Sequence, residues 1–126
     1  MKKLRFLLPL LMLTSVVFVM DGCKNKKPSL LKVFVRSSSN ELLEGAMVTI
    51  IGDVNSNPAT ASYVDTLFTN SSGFAQFDLE ELFTKQGKDN TTGYLDIVAK
   101  KTPTQGTGRS RVRAHITGVE TVFLIN

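Results

Sequence analysis

The sequence predicts an all-β domain, a seven-stranded antiparallel β-sandwich. Three observations point there. Apolar and polar residues alternate with period two in short runs, the pattern of half-buried strands. Clusters of Gly, Asn, Asp and Ser separate the runs, as turns do between strands. No long amphipathic helix interrupts them, so sheet must stack on sheet to bury the apolar faces.

The strands follow in order. Residues 30–36 place Leu31, Val33 and Val35 on one face and Lys32, Phe34 and Arg36 on the other. Ser37 to Asn40 turns the chain, and residues 46–51 direct Ala46, Val48 and Ile50 inward. Residues 52–58 are a loop by composition. A third strand spans residues 61–69, and Asn70-Ser71-Ser72-Gly73 is a tight turn. Residues 74–79 form the fourth strand, with Ala75 and Phe77 inward. Leu79, Leu82 and Phe83 recur at helical spacing, so one short helical turn is expected over residues 78–85, with polar loop over 86–93. The fifth strand, 94–100, buries Leu95, Ile97 and Ala99. A loop is expected over 101–108, then strands over 110–116 and 119–125, joined by Thr117-Gly118.

The first 22 residues have a different character. Lys2, Lys3 and Arg5 precede an apolar run from Phe6 to Met20. As a helix those residues reach about 22 Å, short of a roughly 30 Å hydrocarbon core, and the basic flank leads the run. This is a secretory signal. Gly22-Cys23 follows, and here the chain resembles the bacterial lipoproteins, in which the signal is cut before a cysteine that then carries lipid. Asp21 departs from the small residue usual there. The resemblance implies a signal peptide over 1–22, cleavage between Gly22 and Cys23, a lipidated tether over 23–29 and a domain over 30–126. The resemblance makes Cys23 an anchor point; as the only cysteine it leaves no disulfide framework.

Beyond residue 22 the chain keeps 12 basic and 10 acidic residues, and from Pro28 onward 9 and 10. The basic balance therefore belongs to the signal and to Lys24, Lys26 and Lys27. Nucleic-acid binding loses its support, whereas lysines beside an acyl chain would attract anionic headgroups.

Val33-Phe34-Val35, Gly45-Ala46-Met47-Val48, the run Thr69-Asn70-Ser71-Ser72-Gly73-Phe74-Ala75-Gln76-Phe77, and Tyr94-Leu95-Asp96-Ile97 together resemble the carboxypeptidase-regulatory or transthyretin-like domains. Asn70 replaces the usual Asp, and a long insert, 80–93, precedes the fifth strand. The resemblance implies an Ig-like or prealbumin-like sandwich acting as a non-catalytic envelope module. Gly45 is expected where a Cβ would crowd the entry to the second strand, and Gly73 where the hairpin needs positive φ.

Candidate sites are few. Arg109, Arg111 and Arg113 alternate with Ser110, Val112 and Ala114, so three guanidiniums share one strand face that His115 continues. Such a face can bind phosphate or carboxylate groups or a partner protein; it can equally be a solvated edge that resists further pairing. Asp65-Thr66-Leu67 is similar to the acceptor of O-glycosylated envelope proteins of Bacteroidetes-type bacteria, which makes Thr66 a candidate, although so short a pattern also occurs in ordinary strands. Asp53-x-Asn55-x-Asn57 echoes a calcium loop, but Pro58 and Val64 stand where Gly and Glu belong, so no metal is expected. One histidine and the adjacent, divergent Glu80-Glu81 leave no catalytic set. No cofactor is expected beyond the covalent lipid.

The expected function is a lipid-tethered scaffold or accessory subunit for another envelope protein, on the periplasmic side of the outer membrane. A glycan-binding module is the alternative, with Tyr63, Tyr94 and Phe34 as outward aromatics; a hydrolase is the remote one. An exposed apolar patch on the sheet carrying Phe34 would favour a protein partner.

Overall fold

The computed structural model describes residues 27–125; Gly22, Cys23 and the signal segment lie outside them, as does Asn126. Seven strands and one helix follow in order: β1 Leu30–Arg36, β2 Met47–Gly52, β3 Val64–Phe68, β4 Phe74–Asp78, α1 Glu80–Gln86, β5 Thr92–Lys101, β6 Thr104–Arg113 and β7 Thr117–Phe123. They form two sheets, β4-β1-β7 and β3-β2-β5-β6. The all-β sandwich is therefore present, with the expected strand count.

Alternation decides what is buried. Leu31, Val33, Val35, Val48, Ile50, Ala75, Phe77, Leu95, Ile97 and Ala99 all point between the sheets. Phe77 is the largest fully buried side chain. Leu82 on α1 and Leu79 just before it close the core at the end where β1 begins and β6 finishes. This is the proximal end of the sandwich, from which the chain leads towards Cys23.

Five expectations are corrected. The sandwich is not wholly antiparallel: β1 pairs β7 in parallel, Leu31 opposite Gly118 and Val35 opposite Val122. The β6–β7 turn at 114–116 crosses between sheets at the proximal end, so β7 leaves in the same direction as β1. Residues 104–108, expected as loop, belong to β6, and Thr117-Gly118 lies inside β7. His115 does not continue the arginine face, because it sits in that turn at φ +63°. Gly45 has φ +74° and open space where a Cβ would stand, so the backbone conformation requires glycine there and crowding does not.

Gly73 does carry positive φ, +81°. Asn70 fills the role of the usual Asp, since its Oδ1 accepts from the backbone N–H of Ser72 (3.0 Å) and Phe74 (3.2 Å). On one lateral side the sandwich is closed by the bridge between Gln105 and Ile125. On the other side β3 and β4 end the two sheets with no further strand beside them among the described residues.

Candidate functional site

The outer face of the four-stranded sheet is built by the residues that alternation turns away from the core. Met47, Thr49 and Ile51 of β2 stand between Phe68, Thr66 and Val64 of β3 and Lys100, Val98 and Asp96 of β5. Phe68 and Val64 are 66% and 65% exposed, and Met47, Ile51 and Val98 are each partly exposed. Five apolar side chains thus surround the hydrogen-bonded Thr49–Thr66 pair, a broken stripe across β3, β2 and β5. Nothing in the sequence beyond the β-branched and aromatic residues of Val64-Asp65-Thr66-Leu67-Phe68 signals that this edge strand faces outward with its apolar members.

The stripe meets the arginine row on β6. Asp96 lies opposite Arg109, Tyr94 opposite Arg111 and Thr92 opposite Arg113. The three arginines share one exposed face, as the alternation predicts. They differ in what they touch. Arg109 Nη2 donates to Asp53 Oδ2 at 2.6 Å and Nη1 to Asp96 Oδ1 at 3.0 Å, with the guanidinium 5.7 Å above the Tyr94 ring. The Arg109 hydrogen bond, helped by the N–H of Asn55, holds the Asp53 carboxyl below its usual range, and Asp53 in turn raises Arg109. Arg111 and Arg113 have no such carboxylate among the described residues, so they are the two that remain available to an anion.

Asp53, the first residue of the calcium-like run, is thus committed to Arg109 and to a local turn. No group of three metal-binding side chains occurs among the described residues. Thr66 is exposed on β3, with its Oγ1 2.9 Å from Thr49 Oγ1. Cys23 and Gly22 lie outside the described residues, and Lys27 is the nearest described one. No described helix is long and apolar enough to cross a membrane.

The opposite outer face carries Phe34. Its ring lies 5.4 Å from that of Phe74 at 57°, and Lys32 Nζ sits 4.5 Å above Phe74. Val119 and Phe123 are exposed on the same sheet. Tyr63, expected among the outward aromatics, is instead buried at 8% exposure. Burial, and then the charges of Asp65, Glu81 and Asp78, push its phenol pKa upward. It turns inward because β3 starts only at Val64, so Tyr63 belongs to the loop that folds over the core.

No family model and no curated protein matches the chain. Among solved structures, the TIE protein of Bacillus anthracis is similar over 79% of this chain, at a TM-score of 0.50 and 14% identity. The chain spans 17% of that protein's chain. At this identity the likeness speaks for the fold alone.

Proposed function

We propose that this chain is a non-catalytic bacterial envelope lipoprotein, anchored through Cys23, whose Ig-like or prealbumin-like sandwich docks another envelope protein. The stripe of Phe68, Val64, Met47, Ile51 and Val98 carries the proposal. Apolar side chains gathered on a sheet face are costly to leave in water, and such patches mark protein contacts. Arg111 and Arg113, one and two residue pairs beyond the Ile51–Asp96–Arg109 row where the stripe ends, supply charges that orient a partner reaching past it. The patch lies on the four-stranded sheet and not chiefly on the sheet carrying Phe34.

The glycan alternative has less support. Sugar platforms are flat, whereas Phe34 and Phe74 stand at 57°, and Arg109 covers Tyr94. Glu80 and Glu81 serve structural partners, the first accepting from Ser29 N–H and the second pairing with Lys85, which supports a non-catalytic reading. The basic run Lys24-Asn25-Lys26-Lys27 supports placement on the periplasmic side of the outer membrane.

The test is isolation of native complexes from detergent-solubilised membranes, with wild type beside a Val64→Asp, Phe68→Ser variant. A stoichiometric partner lost in the variant, at unchanged melting temperature, is the expected result. A partner retained equally by the variant, or none in wild type, overturns the docking face.

A further inference from the structure

We infer that the free edge of β6 accepts an acidic, extended segment of another protein, added to the four-stranded sheet as a further strand. The inference goes beyond the apolar stripe. It concerns the far edge of the same sheet and stands whatever covers Phe68 and Val64.

Strand pairing shows which main-chain groups are open. On the side of β6 away from β5, Gln105 N–H donates to the Ile125 carbonyl at 3.3 Å, and Ile125 N–H donates to the Gln105 carbonyl at 2.9 Å. Main-chain groups along a strand of an antiparallel sheet alternate sides, so Thr107, Arg109, Arg111 and Arg113 point the same way as Gln105. Ala114, of the opposite parity, donates towards β5, to the Thr91 carbonyl at 2.9 Å. The Ile125 bridge thus closes this edge at Gln105 alone. Beyond it, no main-chain group of Thr107, Arg109, Arg111 or Arg113 is paired on that side among the described residues. Each offers one N–H and one C=O to an incoming strand.

The other edges are guarded or uncharged. On β3 the main-chain groups of Tyr63 and Thr69 bond to β2, so Val64, Thr66 and Phe68 present theirs to the open side. The central one, Thr66 N–H, is taken by Asp65 Oδ1 at 2.9 Å, which blunts that edge. On β4, Phe74 spends its N–H and its carbonyl on Asn70. The outer positions of β7 are Thr117, Val119, Thr121 and Phe123, none of them charged. β6 has no such guard, and it carries the arginines.

Charge decides what this edge accepts. On the outer face of the sheet, Lys100, Arg109, Arg111 and Arg113 stand against Asp53 and Asp96. Both carboxylates bind Arg109, whereas Arg111 and Arg113 make no ion pair among the described residues. Residues opposite one another in an antiparallel hydrogen-bonded pair lie about 5.5 Å apart. Carboxylates on alternate residues of an added strand would therefore meet Arg111 and Arg113. A second copy of β6 would set arginine against arginine, which is unfavourable. The inward positions of the added strand would face β7, which packs close to β6 at Gly106 and Gly108 and carries Glu120 on its inner side. Those positions suit neutral residues. The segment is acidic on alternate residues only.

The experiment uses the chain beginning at residue 24, whose core is complete because it lies between Leu31 and Leu124, and a synthetic peptide in which Glu alternates with Thr. Backbone amides are followed by NMR as the peptide is added. Those of residues 107, 109, 111 and 113 should shift and become protected from hydrogen exchange, and binding should weaken with salt. Arg111→Gln and Arg113→Gln should each weaken it about threefold. Val64→Asp combined with Phe68→Ser should leave it unchanged, so failure of the stripe and failure of this edge are told apart. In the added strand the Glu N–H groups face β6 and the Thr N–H groups face away. N-methylation at the Glu residues should therefore abolish binding, and N-methylation at the Thr residues should leave it intact. Binding that survives methylation at Glu reduces the contact to surface charge and overturns strand addition. Equal binding of a peptide with Lys in place of Glu overturns the choice of partner. Absence of binding, or protection appearing on β3 or β7 instead, overturns the inference outright.

Discussion

Arg109 on β6 reaches Asp53 in the loop after β2 at 2.6 Å, across 56 positions of sequence. Asp53 N–H also donates to the Tyr94 carbonyl at 2.9 Å, so the loop is fixed to β5 and β6 together. Arg109 holds the Asp53 carboxyl below its ordinary value of 3.8. A group with a depressed folded-state pKa contributes stability above its unfolded value and loses it as pH falls through the folded one. Asp53→Asn should therefore lower the melting temperature by a constant amount near neutrality. That gap should close as pH falls below 3.8. Thermal melts of both proteins across pH test it; a gap that persists in acid contradicts the pairing.

Phe77 and Phe34 are both phenylalanines in paired strands of one sheet, yet they face opposite ways. Phe77→Ala removes a fully buried ring and should cost about 3–5 kcal/mol through lost transfer energy and the cavity left behind. Phe34→Ala loses only the contact with Phe74 on a half-buried outer face and should cost about 1 kcal/mol. Equal shifts in denaturant midpoint would mean the faces are assigned wrongly.

Where inward positions carry large apolar residues, the sequence is legible: β1, β2, β4 and β5 bury the residues that alternation selects. β6 shows why the rest is not. Its inward positions in the first half are Gly106 and Gly108, so the alternation has no apolar member and Thr-Pro-Thr-Gln-Gly reads as loop. The glycines are there because β7 comes close: a Cβ on Gly106 would meet the Phe123 carbonyl, and one on Gly108 would lie 3.1 Å from Val122 Cγ2. The parallel pairing of first and last strands likewise leaves no local trace. At the candidate site the arginine row is legible from spacing alone. The commitment of Arg109 to Asp53 and Asp96, and the apolar stripe on β3, depend on strand order and are not.

Gly106→Ala should consequently destabilise the domain by about 1–3 kcal/mol, because the obstacle is backbone and cannot rotate aside. Gly87 offers the contrast, with φ +80° and open space around it. With ψ 175° it lies in a backbone region essentially confined to glycine, so Gly87→Ala should also cost about 1–3 kcal/mol, from backbone conformation alone. Chemical denaturation of both variants checks the two costs. Tolerance of alanine at residue 106 would show that β6 and β7 are not so closely apposed.

Proteinase added to intact cells is expected to leave the domain whole, and to degrade it once the outer membrane is permeabilised. The expectation follows from the proposed anchor at Cys23, since about six residues from it to Ser29 span at most some 20 Å and cannot cross a bilayer. Degradation without permeabilisation would move the domain to the cell surface and favour the glycan alternative.

Gln86 at the end of α1 joins three segments by one side-chain amide. Its Oε1 accepts from Ala61 N–H at 3.0 Å, and Nε2 donates to the carbonyls of Asn90 (3.2 Å) and Thr92 (2.9 Å). The amide thereby ties the loop before β3 to the segment that enters β5. Gln86→Ala orphans part-buried backbone groups on both sides and should cost about 1–3 kcal/mol. Gln86→Glu keeps an acceptor for Ala61 but turns a carboxylate oxygen towards two carbonyls, so at neutral pH it should cost at least as much. Protonation would restore one donor, so the folded state favours the neutral acid and raises its pKa above the ordinary value near 4.3. Stability gained from a raised pKa is present at low pH and lost as pH rises. The deficit of Gln86→Glu should therefore shrink as pH is lowered towards 4, while that of Gln86→Ala stays constant. Denaturant midpoints of the two variants against wild type, measured at pH 4 and pH 7, separate the cases. A pH-independent deficit for the glutamate variant would show that the Nε2 donors do not hold these loops together.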